Sequence, residues 1–294
     1  MQNKFAKALL SFAASLLLAH APSTALAASS HPAFKVDVHG SAGQPVILIP
    51  GLASSGEVWN GTVAHYCGQR QCHVLTLAGF GGNPAAEGPL LAGAEQQLSD
   101  YIATNKLERP IVIGHSLGGF LGMKLAADHP DQVGRLIIID SLPALGALHM
   151  PSVTGAQLKQ MAAGMRQQFT TQPPAAFAAT MKSQMDSMVT KQSDNDALMA
   201  MSSRSDRAAV INAMADMMGE DLRDDVARIK APTLVLGTWI AYKQYATRDN
   251  VEATFKTQYR QLPGVTIELA DNARHFMMYD DPNWMYDRID NFLK

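Results

Sequence analysis

Ser116 is the residue best placed by its neighbours to do chemistry. It lies in "IVIGHSLGGFLGMKLA", where an apolar run gives way to Gly114-His115-Ser116-Leu117-Gly118 and a helical pattern follows at once. A serine in G-x-S-x-G between strand and helix sits on a strained turn, its hydroxyl exposed at the sheet's edge above the first turn of the helix. The flanking glycines are a steric requirement, because side chains there would collide with neighbouring strands. Such a hydroxyl can attack a carbonyl carbon once a base takes its proton. The plainer alternative is a turn serine that caps the helix. His115 is adjacent, but consecutive strand residues point to opposite faces, so it is expected to pack rather than to act as the base. His275 is the candidate base. It follows the last strand-like run, "VTIELAD", and an imidazole titrates near neutrality. A base of this kind needs a carboxylate to fix its tautomer and steady its protonated form.

Bringing these residues together is the task of the intervening elements. Apolar runs alternate with helical patterns, which predicts an α/β fold with a mostly parallel central sheet and helices on both faces. The expected strands are "FKVDVHG" at an edge, then "PVILIPG", "HVLTLAGFG", "PIVIGHS", "RLIIIDS", "PTLVLGT" and "VTIELAD". Helical patterns fill Ala92 to Asn105, Leu117 to His129, Val251 to Leu262 and Asn283 to Leu293. The alternation stops between Ser141 and about Lys230. That stretch is rich in good helix formers and is broken once, at Pro173 and Pro174. It predicts a helical cap over residues 141–225, inserted after the strand that ends at Asp140, with the core formed by 28–140 and 226–294. Eleven of the 16 methionines lie in the cap, from Met150 to Met218. Thioether chains adapt to varied apolar shapes, which suggests a substrate-facing surface, although methionines at helical spacing also serve as plain core.

Four segments, spread across the chain from about Pro45 to its end, resemble the α/β-hydrolase superfamily in its capped serine esterase and lipase-like branch. They are "GHSLGG", "LIPGLASSGEVW", "LTLAGFGGN" and "ARHFMMYDDPNWMYDRIDNFL". The segment "LIPGLASSGEVW" resembles the family's oxyanion loop, with Pro50-Gly51 where His-Gly is common. The resemblance implies that the backbone N–H groups of Leu52 and Leu117 hold the oxyanion. The segment that begins "ARHFMM" is similar to the family's catalytic-histidine segment, which supports His275. Family habit places the acid after "TLVLG", yet Thr238 to Tyr245 holds no carboxylate. Two residues preserve the order serine, acid, histidine. Asp140 ends "LIIID" one strand earlier, where some members of the superfamily carry their acid. Asp249 lies further along the usual loop and could equally cap a helix; a dyad or another acid stays open. Asp271 is assigned to the turn that positions His275, and Asp280 and Asp281 to caps of the closing helix.

The implied activity is a carboxylesterase-like serine hydrolase acting on a small apolar acyl substrate, with no metal or organic cofactor. A carbon–carbon bond hydrolase or an aminopeptidase of the same fold stays open. So does a non-catalytic binding protein, in which Trp239, Tyr242 and Tyr245 would line a pocket or interface. The formal net charge of −2 and the scattered basic residues give no footprint for nucleic acid. At the start of the chain, Lys4 and Lys7, the apolar run "ALLSFAASLLLA" and the small residues of "ALA" at 25–27 read as a signal peptide over residues 1–27. The expected location is therefore periplasmic or secreted, with no stable membrane insertion after cleavage. In an oxidising compartment Cys67 and Cys72 are candidates for a local disulfide.

Overall fold

The computed structural model describes residues 32–148 and 150–294. The proposed signal segment lies outside them. Among the described residues no helix is long and apolar enough to cross a membrane.

The first half of the chain forms β1 (Phe34–His39), β2 (Val46–Ile49), α1 (Asn60–Tyr66), β3 (Cys72–Leu77), α2 (Leu90–Thr104), β4 (Ile111–His115), α3 (Leu117–Asp128) and β5 (Arg135–Ile139). Four helices follow: α4 (Gly155–Thr171), α5 (Pro174–Met188), α6 (Gln192–Ser202) and α7 (Arg207–Gly219). The chain then returns through β6 (Thr233–Thr238), α8 (Arg248–Gln258), β7 (Thr266–Ala270), α9 (Met277–Asp280) and α10 (Pro282–Leu293). The seven strands are ordered β1-β3-β2-β4-β5-β6-β7, with β1 antiparallel to β3 and the remaining pairs parallel.

Central strands buried on both faces read as unbroken apolar runs, and β2, β4 and β6 are buried at every position. Their side chains alternate between two cores. Ile47, Ile49, Val112, Ile138 and Val235 pack with α2, α3 and α8. Leu48, Ile113, Ile137, Ile139 and Leu236 pack with α1 and α10 on the other face. The edge strands show the opposite composition: β1 carries an exposed Lys35–Asp37 ion pair (3.6 Å), and β7 is buried only at its end.

The helical stretch after β5 has more breaks than its prolines announce. Pro174 opens α5 at its first turn, where its missing N–H costs nothing. A Thr154–Gln157 capping box starts α4, and Asp206 caps α7 by accepting from Ala209 N–H. The helix α1, joined to β2 through a 3₁₀ turn at Gly56–Trp59, has too short a pattern to be legible in the sequence. Cys67 and Cys72, at the end of α1 and the start of β3, are joined by a disulfide (Cα–Cα 5.6 Å).

Strand order reverses between β2 and β4: β2 leads to β3 on one side, β4 to β5 on the other. A crevice opens at the carboxyl ends of strands at such a reversal. The registers Ile49–Gly114, His115–Ile139, Ile139–Leu236 and Thr238–Ala270 end β2, β4, β5, β6 and β7 along this one edge.

Candidate active site

Ser116 is positioned by backbone alone. Its N–H donates to Ile139 O (2.9 Å), continuing the β4–β5 ladder by one residue, and its carbonyl accepts the first helical bond of α3 from Phe120 N–H (3.0 Å). Between these two regimes its φ is +52°, a conformation costly for a residue with a Cβ. The glycines around it are sterically required. A Cβ on Gly114 would lie 2.2 Å from Gly118 O, and one on Gly118 would lie 2.2 Å from Ile49 O. Ser116 occupies the N-cap position, yet its hydroxyl caps nothing, which removes the helix-cap alternative.

Asp140 stands one strand away on the same edge. Its N–H donates to Leu236 O (2.7 Å), and its φ is also positive, at +46°. The carboxylate is nearly buried, with the side chain 8% exposed, so both oxygens need donors. Oδ1 accepts from Thr238 N–H (3.1 Å) at the end of β6, and Oδ2 accepts from His275 Nδ1 (2.6 Å). A carboxylate only accepts, so Nδ1 carries a proton, and in the neutral imidazole Nε2 then presents its lone pair. This is the tautomer that a general base requires.

The loop carrying His275 is held from three sides. Thr238 Oγ1 donates to Ala273 O. His115 Nε2 donates to the carbonyl of His275 itself (3.0 Å), and the two imidazoles lie 4.5 Å apart. The third hold comes from the helices after β5. Phe276 N–H donates to Met188 O (3.1 Å), and Asp280 Oδ2 accepts from both Arg274 N–H (2.8 Å) and Thr190 Oγ1 (3.0 Å). Asp280 Oδ1 accepts Thr190 N–H (2.8 Å). Asp280 is therefore a tie between the histidine loop and the α5–α6 corner, not the helix cap expected from its place in the sequence. Asp281 does cap α10, accepting from Trp284 N–H (3.3 Å). Asp271 accepts from Trp239 Nε1 (2.8 Å) and Arg248 Nε (2.9 Å), joining the loops after β6 and β7.

Packing is indeed the environment of His115, which is 1% exposed. Burial, and secondly the neighbouring His275, push its imidazole well below the usual histidine range. It is thus neutral, with Nε2 protonated toward the His275 carbonyl and Nδ1 buried without a partner.

Asp249, the alternative acid, lies exposed in the first turn of α8, where Thr247 is the cap. It bonds nothing in the site. An acid there suits the positive end of the helix. The β6 loop sends Tyr242 and Tyr245 to the cavity instead. Partial burial, and secondly the Asp140 carboxylate, push the Tyr242 phenol above its ordinary range.

Ser116, Asp140 and His275 line two cavities that meet at them, of about 710 and 630 Å³. No hydrogen bond joins Ser116 Oγ to His275 among the described residues; such bonds are often loose until substrate arrives. Leu52 lines the larger cavity beside Gly51, where an added Cβ would lie 3.2 Å from Ser116 Cβ, so the loop after β2 comes close to the serine. Leu117 is the first residue of α3, and its N–H is among the helix's unpaired donors. Ala53, in the same loop as Leu52, has φ +55°, a third strained non-glycine residue on the cavity wall. Seven of the methionines between Met150 and Met218 line the larger cavity, among them Met165, Met181, Met185 and Met188 from α4 and α5. Among the described residues, no group of three histidine, cysteine or acidic side chains is placed to hold a metal ion.

Comparison with known proteins agrees with this architecture. RutD of Yersinia enterocolitica, provisionally named a carbamate hydrolase, is 28% identical over 199 residues, 66% of this chain and 69% of its own length. A pimeloyl-acyl-carrier-protein methyl ester esterase of Vibrio cholerae is 29% identical over 212 residues, covering 66% of this chain and 74% of that protein. The enol-lactonase of Burkholderia xenovorans LB400 superposes with a TM-score of 0.71 at 18% identity, over 88% of this chain and 96% of its own. Residues 46–288 match the model of the "Alpha/beta hydrolase family", most of the chain and all of the strands that frame the site, and the chain belongs to that family.

Proposed function

We propose that the protein is a serine hydrolase that cleaves carboxylic esters through Ser116, His275 and Asp140. The observation that carries this reading is the 2.6 Å bond from His275 Nδ1 to a buried Asp140, at a cavity wall shared with an uncapped, strained Ser116. His275 Nε2 takes the Ser116 proton as Oγ attacks the carbonyl carbon. The N–H groups of Leu52 and Leu117 receive the charge that develops on the carbonyl oxygen. His275 then gives its proton to the leaving alcohol, and water releases the acyl group by the same steps. The esterase activity named for the Vibrio relative supports the class of reaction.

The competing readings fare less well on these residues. An aminopeptidase needs a carboxylate free to meet a substrate ammonium. Asp140 is the one acid on the cavity wall among the described residues, and His275 already occupies it. The case for a non-catalytic binding protein is the missing acid after β6, and Asp140 supplies an acid from β5. An exported site of action agrees with the leader-like residues 1–27 and with the Cys67–Cys72 disulfide.

The test is hydrolysis of p-nitrophenyl butyrate by the wild type and Ser116→Ala, with a fluorophosphonate probe to mark the nucleophile by mass. Loss of the serine is expected to cost about a millionfold in kcat, as for other triad serines, and to abolish labelling. A wild type no faster than Ser116→Ala would sink the ester reading.

A further inference from the structure

The two cavities are lobes on either side of one reacting centre. Ser116, Asp140 and His275 belong to both, and Leu145, Met217 and Tyr242 form the waist between them. The larger lobe runs under α4, α5 and α7 and is walled by methionines and Phe169. The smaller runs beneath α8, past Leu142, Val251 and Phe255. Each is also lined by uncharged polar groups, among them Gln184 and Ser202 in one and Asn250 and Thr254 in the other. Neither lobe has a lysine or arginine among the described residues.

An ester carbonyl attacked at Ser116 has two substituents, the acyl chain and the alkoxy group. They leave the carbonyl carbon in different directions, so a centre that opens on two sides can house both. We propose that the substrate is an uncharged ester with two apolar arms, one per lobe, and that esters carrying an anion on a short arm are rejected. The proposal rests on Ser116 acting as the nucleophile of an esterase. The rejection follows from desolvation: a carboxylate drawn into either lobe loses its water and meets no cation, and the nearby Asp140 repels it. Flexible thioethers in the larger lobe accept arms of varied shape.

The experiment follows acid release from methyl hexanoate, hexyl acetate, hexyl hexanoate and monomethyl adipate. The last replaces the terminal methyl of methyl hexanoate with a carboxylate. Expected values of kcat/KM are at least about tenfold higher for hexyl hexanoate than for either one-armed ester, and at least about a hundredfold lower for monomethyl adipate than for methyl hexanoate. Two variants then fill one lobe each, Met181→Trp in the larger and Thr254→Phe in the smaller. The ratio of kcat/KM for hexyl acetate over methyl hexanoate should move in opposite directions in the two. A ratio that shifts the same way in both, or in neither, overturns the two-lobe assignment, as does equal turnover of adipate and hexanoate esters. These outcomes are separable from failure of the esterase reading. In that case p-nitrophenyl butyrate is not hydrolysed and the fluorophosphonate does not label Ser116.

Discussion

β5 and β6 are hydrogen-bonded neighbours, and β5 stops at Ile139, opposite Leu236, two residues before β6 ends at Thr238. Past β5 the chain puts Asp140 into a positive-φ turn, buries its carboxylate and aims it at His275 Nδ1. β6 ends on Thr238, whose N–H donates to that same carboxylate, and a loop with no acid until Asp249 follows. In the proposed triad the orienting acid is thus defined by reach to the imidazole, not by the strand that delivers it. Either strand end borders the histidine loop, and whichever lacks the acid can support it. With Asp140 in place, the β6 loop is free to line the cavity with Tyr242 and Tyr245, the latter 86% exposed at the mouth.

The sharpest way to break this comparison is Asp140→Asn. Its amide can still accept from Thr238 N–H while presenting NH₂ to Nδ1, which favours the wrong tautomer of His275. In serine proteases the same change costs about ten-thousandfold in kcat with geometry intact. An equal loss is expected here, with KM for p-nitrophenyl butyrate little changed. Near-normal turnover would show that His275 takes its orientation from elsewhere.

Asp280→Asn asks whether the histidine loop is held by the sheet alone. The carboxylate accepts three bonds, two from Thr190 and one from Arg274 N–H. An amide offers one acceptor oxygen. A drop of about tenfold in kcat is expected from a loosened His275, with a loss of about 1 kcal/mol in denaturant unfolding. Equal stability loss without any change in kcat would make Asp280 a purely structural tie.

These residues also mark how far the sequence can be read. The elbow is legible because its constraints are local: Gly114, Ser116 and Gly118 lie within one turn, and the steric clashes that demand glycine follow from it. The strands are legible because burial on both faces leaves unbroken apolar runs. Asp140 is a candidate in the sequence only because the usual loop after β6 lacks an acid and some members of the superfamily carry theirs one strand earlier; the sequence does not show that β5 ends beside β6 within reach of residue 275. Asp280 reads wrongly as a cap because its partner, Thr190, is 90 residues away on the helical insertion, while its neighbour Asp281 is a true cap. The methionine cluster points to the cavity, yet the division into two lobes depends on α8 and Tyr242, which carry no such signal.

A smaller effect separates the two histidines. His115 is fully buried with its affinity for a proton pushed well below 6.5, while in the unfolded chain it titrates near 6.5. Between those two values the unfolded state binds more protons, so stability falls as pH drops below about 6.5 and levels off beneath the folded value. His73, lowered by burial, acts in the same direction. His115→Gln can keep an N–H toward the His275 carbonyl and removes one of these titrations. The slope of Tm against pH below 6.5 should become shallower, by a few degrees over the window. An unchanged slope would mean that His115 does not charge on unfolding in this range.

The least effect is expected of Asp249→Asn, and that gives the comparison its cleanest control. Asp249 is exposed, so its replacement leaves no cavity and no orphaned partner. What it supplies is a negative charge in the first turn of α8, worth about 0.3–1 kcal/mol at low ionic strength and less in salt. Activity on p-nitrophenyl butyrate should stay within about twofold of wild type, because the loss of a remote, screened charge is expected to move the barrier by less than the roughly 0.4 kcal/mol that a twofold change represents. The variant should be combined with Asp140→Asn. If the residual rate of Asp140→Asn is unaffected by adding Asp249→Asn, the β6 loop offers no second acid. If it falls a further tenfold or more, the loop does swing Asp249 toward His275 when the first acid is lost, and the two strand ends are functional alternatives within this one chain.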